Sequence, residues 1–120
     1  MKKICFFANI RCKYTLVISE RPDAPTNIRV KAKGITETSA VIQWTPGFNG
    51  GLKQTFIIQY TTGTDGADEQ WTEVHGGVET THNIIENISP NTVYTVRVYA
   101  NNTIGMSDIS ESIQFKTLGK

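Results

Sequence analysis

Apolar residues alternate with polar residues in short runs from Pro22 onward, and clusters of Gly, Pro, Asn and Asp separate the runs. An alternation with a period of two gives a strand one face toward a core and one face toward solvent. No run keeps the 3.6-residue spacing of an amphipathic helix. The pattern therefore predicts an all-β protein without an important helix.

Seven segments carry this alternation. In the first segment, residues 27–33, the pattern directs Ile28, Val30 and Ala32 toward the core. Each segment is short, and turn residues recur at intervals of roughly ten residues, which is the sequence signature of an antiparallel sandwich. We therefore expect a seven-stranded antiparallel β-sandwich with strands at 27–33, 39–44, 55–60, 71–74, 80–85, 93–100 and 112–116.

The composition sets limits on size and on partners. A chain of 120 residues is long enough for one domain with a sizeable core but not for two. Its 12 Lys and Arg residues nearly balance its 11 Asp and Glu residues, so no strong field attracts nucleic acid or an anionic membrane surface. The apolar runs are too short to span a bilayer. We therefore expect neither nucleic-acid binding nor direct membrane insertion.

Residues 1–20 differ from the rest and are expected to be an N-terminal extension of a sandwich domain at 21–120. The basic and apolar start faintly resembles a secretory signal, but Arg11 interrupts it and no small-x-small cleavage site follows. Both cysteines, Cys5 and Cys12, lie in this extension, and their spacing does not fit a zinc ribbon or a CxxC redox motif. We therefore expect no metal, no cofactor and a sandwich held together by packing.

An ordered set of motifs extends from about Arg21 to Thr117. In chain order these are Pro22-x-x-Pro25, Trp44, Tyr60, Trp71, Ile88-x-Pro90-x-Thr92-x-Tyr94, Ala100-x-Asn102-x-x-Gly105-x-Ser107 and Phe115-x-Thr117. Together they resemble the fibronectin type III family, in which Leu is usual where this chain has Ile88. The resemblance implies a tyrosine corner, in which the Tyr94 hydroxyl bonds to the backbone of the preceding crossover. The expected structural core contains Trp44, Tyr60, Trp71, Ile88, Pro90 and Tyr94.

A finer resemblance lies in residues 44–56, which are similar to the membrane-proximal fibronectin modules of nephrin-like immunoglobulin-superfamily adhesion receptors. Residues 5–9 and 14–18 resemble the last two strands of an immunoglobulin domain that runs into a Pro-rich linker. The extension departs from that pattern at Lys3, at one extra Phe after Cys5, and at Cys12. It is therefore either the remnant of a preceding immunoglobulin domain or a disordered segment without that history.

No combination of residues has the composition of a catalytic site. His75 and His82 are the natural bases near neutral pH, and one adjoins loop glycines while the other falls on a predicted strand. Ser107 lacks the second Gly that a nucleophile elbow requires. The acidic turn at 65–69 does not have the spacing of a calcium-binding EF-hand loop. We therefore expect a protein that is not an enzyme.

Basic residues line one face of the first predicted strand, at Arg29, Lys31 and Lys33. They could contact sulfated glycans, or they could be the charges that protect an edge strand from pairing with another sheet. Two sequons, at Asn87 and Asn101, make these residues candidates for N-glycosylation. Pro90 follows Ser89 of the first sequon and makes it a poor acceptor.

The loops at 46–53 and 101–109 should emerge at the same end of the sandwich, where recognition residues are usually presented. Phe48 and Met106 are apolar residues beside glycines in these loops, and they are candidate anchors for a protein partner. The alternative is that Phe48 folds back over Trp44 and that Met106 covers the end of the core.

The resemblance implies a non-catalytic, extracellular, protein-binding or spacer module of a cell-adhesion receptor at the cell surface. Its partners would be proteins, including neighbouring immunoglobulin or fibronectin domains of the same receptor. The alternative is an intracellular structural module of a giant sarcomeric-type protein, since a sandwich without cysteines suits both compartments.

Overall fold

The computed structural model describes residues 2–4, 16–63 and 70–119. Cys5, Cys12 and the acidic turn at 65–69 lie outside the described residues. The described part contains the strands β1 Lys2–Ile4, β2 Leu16–Ile18, β3 Thr26–Val30, β4 Ala40–Thr45, β5 Thr55–Thr62, β6 Thr72–Val78, β7 His82–Ile85, β8 Val93–Asn101 and β9 Ile113–Lys116. It also contains one short 3-10 helix, Ala32–Gly34.

Seven of the strands form two antiparallel sheets, with strand orders β3-β4-β7 and β6-β5-β8-β9. β1 and β2 form a separate antiparallel pair. In β4 the residues Ala40, Ile42 and Trp44 are buried, and the residues between them are partly exposed, as the alternation requires. The predicted all-β fold with seven antiparallel sandwich strands is confirmed.

The core lies between the two sheets and is built around aromatic side chains. Trp44 of β4 is buried, and its ring centroid lies 5.4 Å from that of Phe56 on β5. The indole Nε1 of Trp44 donates a hydrogen bond to the carbonyl oxygen of Thr80 at 3.0 Å, so burial leaves its polar atom paired. Large aromatic groups fill the space between sheets that pack about 10 Å apart.

A second aromatic group closes the other part of the core. The Tyr94 ring packs edge-on against Tyr60 with centroids 6.0 Å apart and stacks on Phe115 at 5.8 Å. Ile88 is buried in the same core cluster, whereas Pro90 is only half-buried. The chain between β7 and β8 therefore crosses from one sheet to the other over this group.

The first predicted strand of the sandwich, residues 27–33, ends earlier than the alternation of apolar and polar residues predicts. β3 stops at Val30, and Ala32 is exposed in the 3-10 helix, so the prediction that Ala32 faces the core is wrong. The turn closes through a bond from the N–H of Gly34 to the carbonyl oxygen of Lys31 at 2.8 Å. A Cβ at Gly34 would lie 2.9 Å from the Cβ of Val41, so this turn packs tightly against β4.

Trp71 also departs from its predicted place in the core. It precedes β6, and the register pairs Thr72 with Tyr60 and Val74 with Ile58, so the inward positions of β6 are the even ones. Trp71 therefore has the parity of the outer face, and the core cluster does not include it. The guanidinium carbon of Arg97 lies 3.9 Å from the centre of its ring, in a cation–π contact.

Candidate protein-binding end of the sandwich

Two loops leave the same end of the sandwich. β5 begins at Thr55 and β8 ends at Asn101, and these two residues are directly paired. The loop after β4 therefore ends beside the point at which the loop after β8 begins. β3 begins at this end as well, because Thr26 pairs with Thr45, the last residue of β4. The segment that leads into β3 thus enters the sandwich next to both loops.

Asn102 joins these three segments. Its side chain is 8% exposed, and its Nδ2 donates to the carbonyl oxygens of Glu20 at 2.7 Å and of Asn49 at 2.9 Å. Its Oδ1 accepts from the backbone N–H groups of Ile104 at 2.9 Å and Gly105 at 3.2 Å. One buried amide therefore holds its own loop, the loop after β4 and the segment before β3 together.

We refer to residues 19–24, which precede β3, as the entry segment. The N–H of Glu20 donates to the carbonyl oxygen of Gly50 at 2.9 Å, and the N–H of Asp23 donates to that of Phe48 at 2.8 Å. Arg21 Nη1 donates to the carbonyl oxygen of Met106 at 3.3 Å. The backbones of both loops are thus bonded to the entry segment.

Glycines let the entry segment approach the loops closely. Gly50 has a φ of +77°, and a Cβ at this position would lie 2.0 Å from the carbonyl oxygen of Glu20. A Cβ at Gly47 would lie 2.9 Å from the carbonyl oxygen of Ala24. Any side chain at Gly50 would push the entry segment away from the loop after β4.

The side chains of Phe48 and Met106 remain exposed at this end, at 42% and 47% of their surface. Ile104, in the same loop as Met106, is 54% exposed. Phe48 does not belong to the core cluster around Trp44. The sequence pattern did not single out Ile104, although an apolar residue between Asn102 and Gly105 of the loop motif is a usable signal.

The residues considered for catalysis are exposed on strands or have structural roles. His75 lies on β6 and His82 on β7, and both are exposed. Ser107 Oγ accepts from the N–H of Ala100 at 2.8 Å and donates to the carbonyl oxygen of Asp108 at 2.8 Å, which pairs the loop with β8. Within residues 2–4, 16–63 and 70–119, no group of three or more His, Cys, Asp or Glu side chains could hold a metal ion.

The predicted surface sites lie at different places. Asn101 is the last residue of β8, at the loop end, and is half-buried, whereas Asn87 is exposed in the crossover with a φ of +59°. Arg29 is exposed on β3, an edge strand of its sheet, and Lys31 and Lys33 are exposed just beyond that strand. In the part of the chain that is described, no helix is long and apolar enough to cross a membrane.

Comparison with known proteins finds relatives that are much longer than this chain. The chain is 35% identical to human nephrin over 97 residues, which is 80% of this chain and 7% of nephrin. It is 33% identical over 106 residues to human "Cell adhesion molecule DSCAM", covering 88% of this chain and 5% of that protein. "Protein turtle homolog B" of Rattus norvegicus is 30% identical over 102 residues, 85% of this chain and 7% of its own length. The chain thus spans a small part of these relatives, and the resemblance to nephrin-like adhesion receptors is confirmed.

Solved structures agree on the fold. The third fibronectin III domain of the human KIAA0343 protein superposes with a TM-score of 0.73 at 22% identity, over 85% of this chain and 87% of that one. A crystal structure of a segment of titin gives a TM-score of 0.70 at 26% identity, over 83% of this chain and 33% of that one. The family model described as "Fibronectin type III domain" matches residues 23–116. With this match over both sheets, the chain belongs to the fibronectin type III family.

Proposed function

We propose that this fibronectin type III domain is a non-catalytic, extracellular module of a cell-adhesion receptor that binds proteins or spaces neighbouring domains. Its partners are proteins, including adjacent immunoglobulin or fibronectin domains of the same receptor, and its place is the cell surface. The identities of 30% to 35% with turtle homolog B, DSCAM and nephrin support this assignment over most of the chain.

The observation that carries the binding role is the exposure of Phe48 and Met106 on loops whose backbones are fixed. The carbonyl oxygen of each residue accepts a hydrogen bond from the entry segment, at 2.8 Å from Asp23 and at 3.3 Å from Arg21. An apolar side chain on a fixed backbone loses little conformational freedom when a partner covers it. Phe48 and Met106 are therefore our candidate anchors.

A double substitution, Phe48→Ser with Met106→Ser, tests this role. Because both side chains are exposed, the melting temperature should remain close to that of the parent chain, while adhesion of cultured cells to the immobilised domain should fall. Leu118→Ser is a matched control, since Leu118 is 53% exposed and its N–H bonds to Thr36 at the opposite end. Unchanged adhesion, or a large fall in melting temperature, would contradict the proposal.

The intracellular structural role is the second candidate, and the similarity to the titin segment favours it. The two candidates differ in the compartment that the chain enters. When the chain is secreted from mammalian cells behind a heterologous signal peptide, an extracellular module should carry a glycan on Asn101, the last residue of β8. Thr103→Ala removes the sequon without changing Asn101 and provides the control. Secretion of folded protein without any glycan would favour the intracellular role.

A further inference from the structure

The backbone of Glu20 in the entry segment is hydrogen-bonded to both loops. The N–H of Glu20 donates to Gly50, and its carbonyl oxygen accepts from Asn102, so both backbone polar groups of this residue have fixed partners. A freely moving linker would bond these groups to water instead. Residues from two loops, 30 and 82 positions further along the chain, thus determine where Glu20 lies.

The backbone of the loop end accommodates this segment at close range. A Cβ at Gly47 or Gly50 would clash with the backbone of Ala24 or Glu20, so both positions require glycine. Pro22 and Pro25 are buried, and the pyrrolidine ring of each holds its φ near −65°. Pro22 lies in the entry segment and Pro25 directly follows it, so these two fixed φ angles reduce the conformational entropy that is lost when the segment is ordered.

The strand pair β1–β2 is attached directly to this segment. β2 ends at Ile18, and two residues of chain span at most about 7 Å, so Ile18 must lie near the bonded Glu20. The chain that precedes the entry segment therefore reaches the sandwich at the end that carries the loops of Phe48 and Met106.

From these contacts we infer that the entry segment is a rigid joint, and that the loop end of the sandwich is the seat of the N-terminal neighbouring unit of the same polypeptide. Asn102 is the positioning residue of this joint, because its amide donates to the segment from the loop. The inference rests on the proposed spacer role, and it names the partner as the preceding part of the same polypeptide rather than a separate ligand. A spacer built in this way fixes the angle between two consecutive units.

Hydrogen exchange measured by NMR on the full chain tests the joint. The backbone amides of Glu20 and Asp23 should exchange at least about 100-fold more slowly than unprotected amides, because both donate to loop carbonyls. In Asn102→Asp the Oδ1 acceptor of the loop turn remains, but a carboxylate oxygen replaces the donor that faces Glu20 and Asn49. Exchange at Glu20 should then rise by at least about tenfold, while core amides stay protected.

Asn83→Asp is the matched control. The Asn83 amide also donates to a backbone carbonyl, that of His75 at 3.2 Å, and its Oδ1 also accepts a backbone N–H, but it lies on β7 away from the joint. This variant should leave exchange at Glu20 unchanged. Gly50→Ala should displace the entry segment, because the added Cβ would clash with Glu20. Gly63→Ala is the control for backbone strain, because Gly63 has a φ of +96° and open space around it.

Nitrogen-15 relaxation on the same samples reports whether the preceding unit turns with the sandwich. Backbone amides in residues 2–4 and 16–18 should share the rotational correlation time of the sandwich in the parent chain and lose it in Asn102→Asp. Rapid exchange at both Glu20 and Asp23 in the parent chain, or independent tumbling of β1–β2, would overturn the joint. Neither measurement involves a separate partner, so a failed adhesion assay with an intact joint would reject only the binding role.

Discussion

The phenolic oxygen of Tyr94 accepts a hydrogen bond from the backbone N–H of Ser89 at 2.8 Å. This contact ties β8 to the crossover between the two sheets, five residues earlier in the chain. In Tyr94→Phe the ring still packs between Tyr60 and Phe115, but the Ser89 N–H loses its acceptor. Because Ser89 is exposed and water can partly replace the lost bond, we expect a loss of about 0.5–1.5 kcal/mol in the free energy of unfolding. Urea denaturation measures it, and equal stability of the two proteins would show that the contact contributes nothing.

Trp44→Ala should remove most of the stability of the domain. The side chain is fully buried against Phe56, and its replacement leaves a large cavity between the sheets. Such deletions cost about 3–5 kcal/mol, against a total stability of about 5–15 kcal/mol for a domain of this kind. Circular dichroism melting curves should show a strongly lowered transition or none. Trp44→Phe keeps most of the apolar volume, so its melting temperature should lie between those of the parent chain and Trp44→Ala.

Truncation from the N-terminus should reveal the contribution of the entry segment. A chain that starts at Ser19 should melt close to the full chain, since the bonds of Glu20 remain. A chain that starts at Arg21 should still unfold cooperatively but should lose about 1–3 kcal/mol, because it lacks the two backbone hydrogen bonds of Glu20. Equal melting curves for the two truncated chains would mean that these bonds do not stabilise the fold.

Tyr99 should make stability depend on pH in the alkaline range. Burial raises the pKa of its phenol, and the hydrogen bond to Glu73 at 3.1 Å and the negative charge of Glu73 raise it further. The folded chain therefore keeps the proton at a pH at which the unfolded chain releases it. The stabilisation is fully present below about pH 10, the pKa of an unperturbed tyrosine, and it declines as the pH rises through the higher pKa of the folded state.

The measurement compares the parent chain with Tyr99→Phe, which has no phenol to titrate. The difference in the free energy of unfolding between the parent chain and Tyr99→Phe should be constant below about pH 10. Above that pH the parent chain should lose stability relative to the variant. Glu73→Gln keeps an acceptor for the hydroxyl but removes the charge, so ultraviolet absorbance should show Tyr99 titrating earlier in this variant. A Tyr99 phenol that titrates at the ordinary pKa of tyrosine in the parent chain would contradict this account.

The alternation of apolar and polar residues was sufficient to predict the sandwich, but it placed some strand ends incorrectly. β6 continues through Gly76 and Gly77, which the sequence marks as a turn. A Cβ at Gly76 would lie 3.3 Å from the Cη2 of Trp44, so this glycine makes room for the core tryptophan. Such a packing requirement between residues 32 positions apart cannot be derived from local sequence signals.

The candidate site could be predicted only in part, because it also depends on contacts between residues that are far apart in the sequence. Chain order alone brings together the loops that carry Phe48 and Met106, and the structure joins those loops through Asn102. The sequence predicts that residues 1–20 are an extension of the sandwich domain, whereas Glu20 is bonded to both loops. The two side-chain bonds of Asn102 reach residues 53 and 82 positions away, and no short-range pattern contains that information.

The chain enters the sandwich at one end and leaves it at the other. β3 begins at the loop end, where Thr26 pairs with Thr45, and β9 ends at Lys116, which pairs with Val93 at the start of β8. Hydrogen bonds between antiparallel strands lie perpendicular to the strands. Tension applied to both ends of the domain would therefore shear the β3–β4 and β8–β9 pairs, loading the bonds of each pair together instead of opening them one after another. A module with this path of the chain transmits a pulling force along its long axis before it begins to unfold.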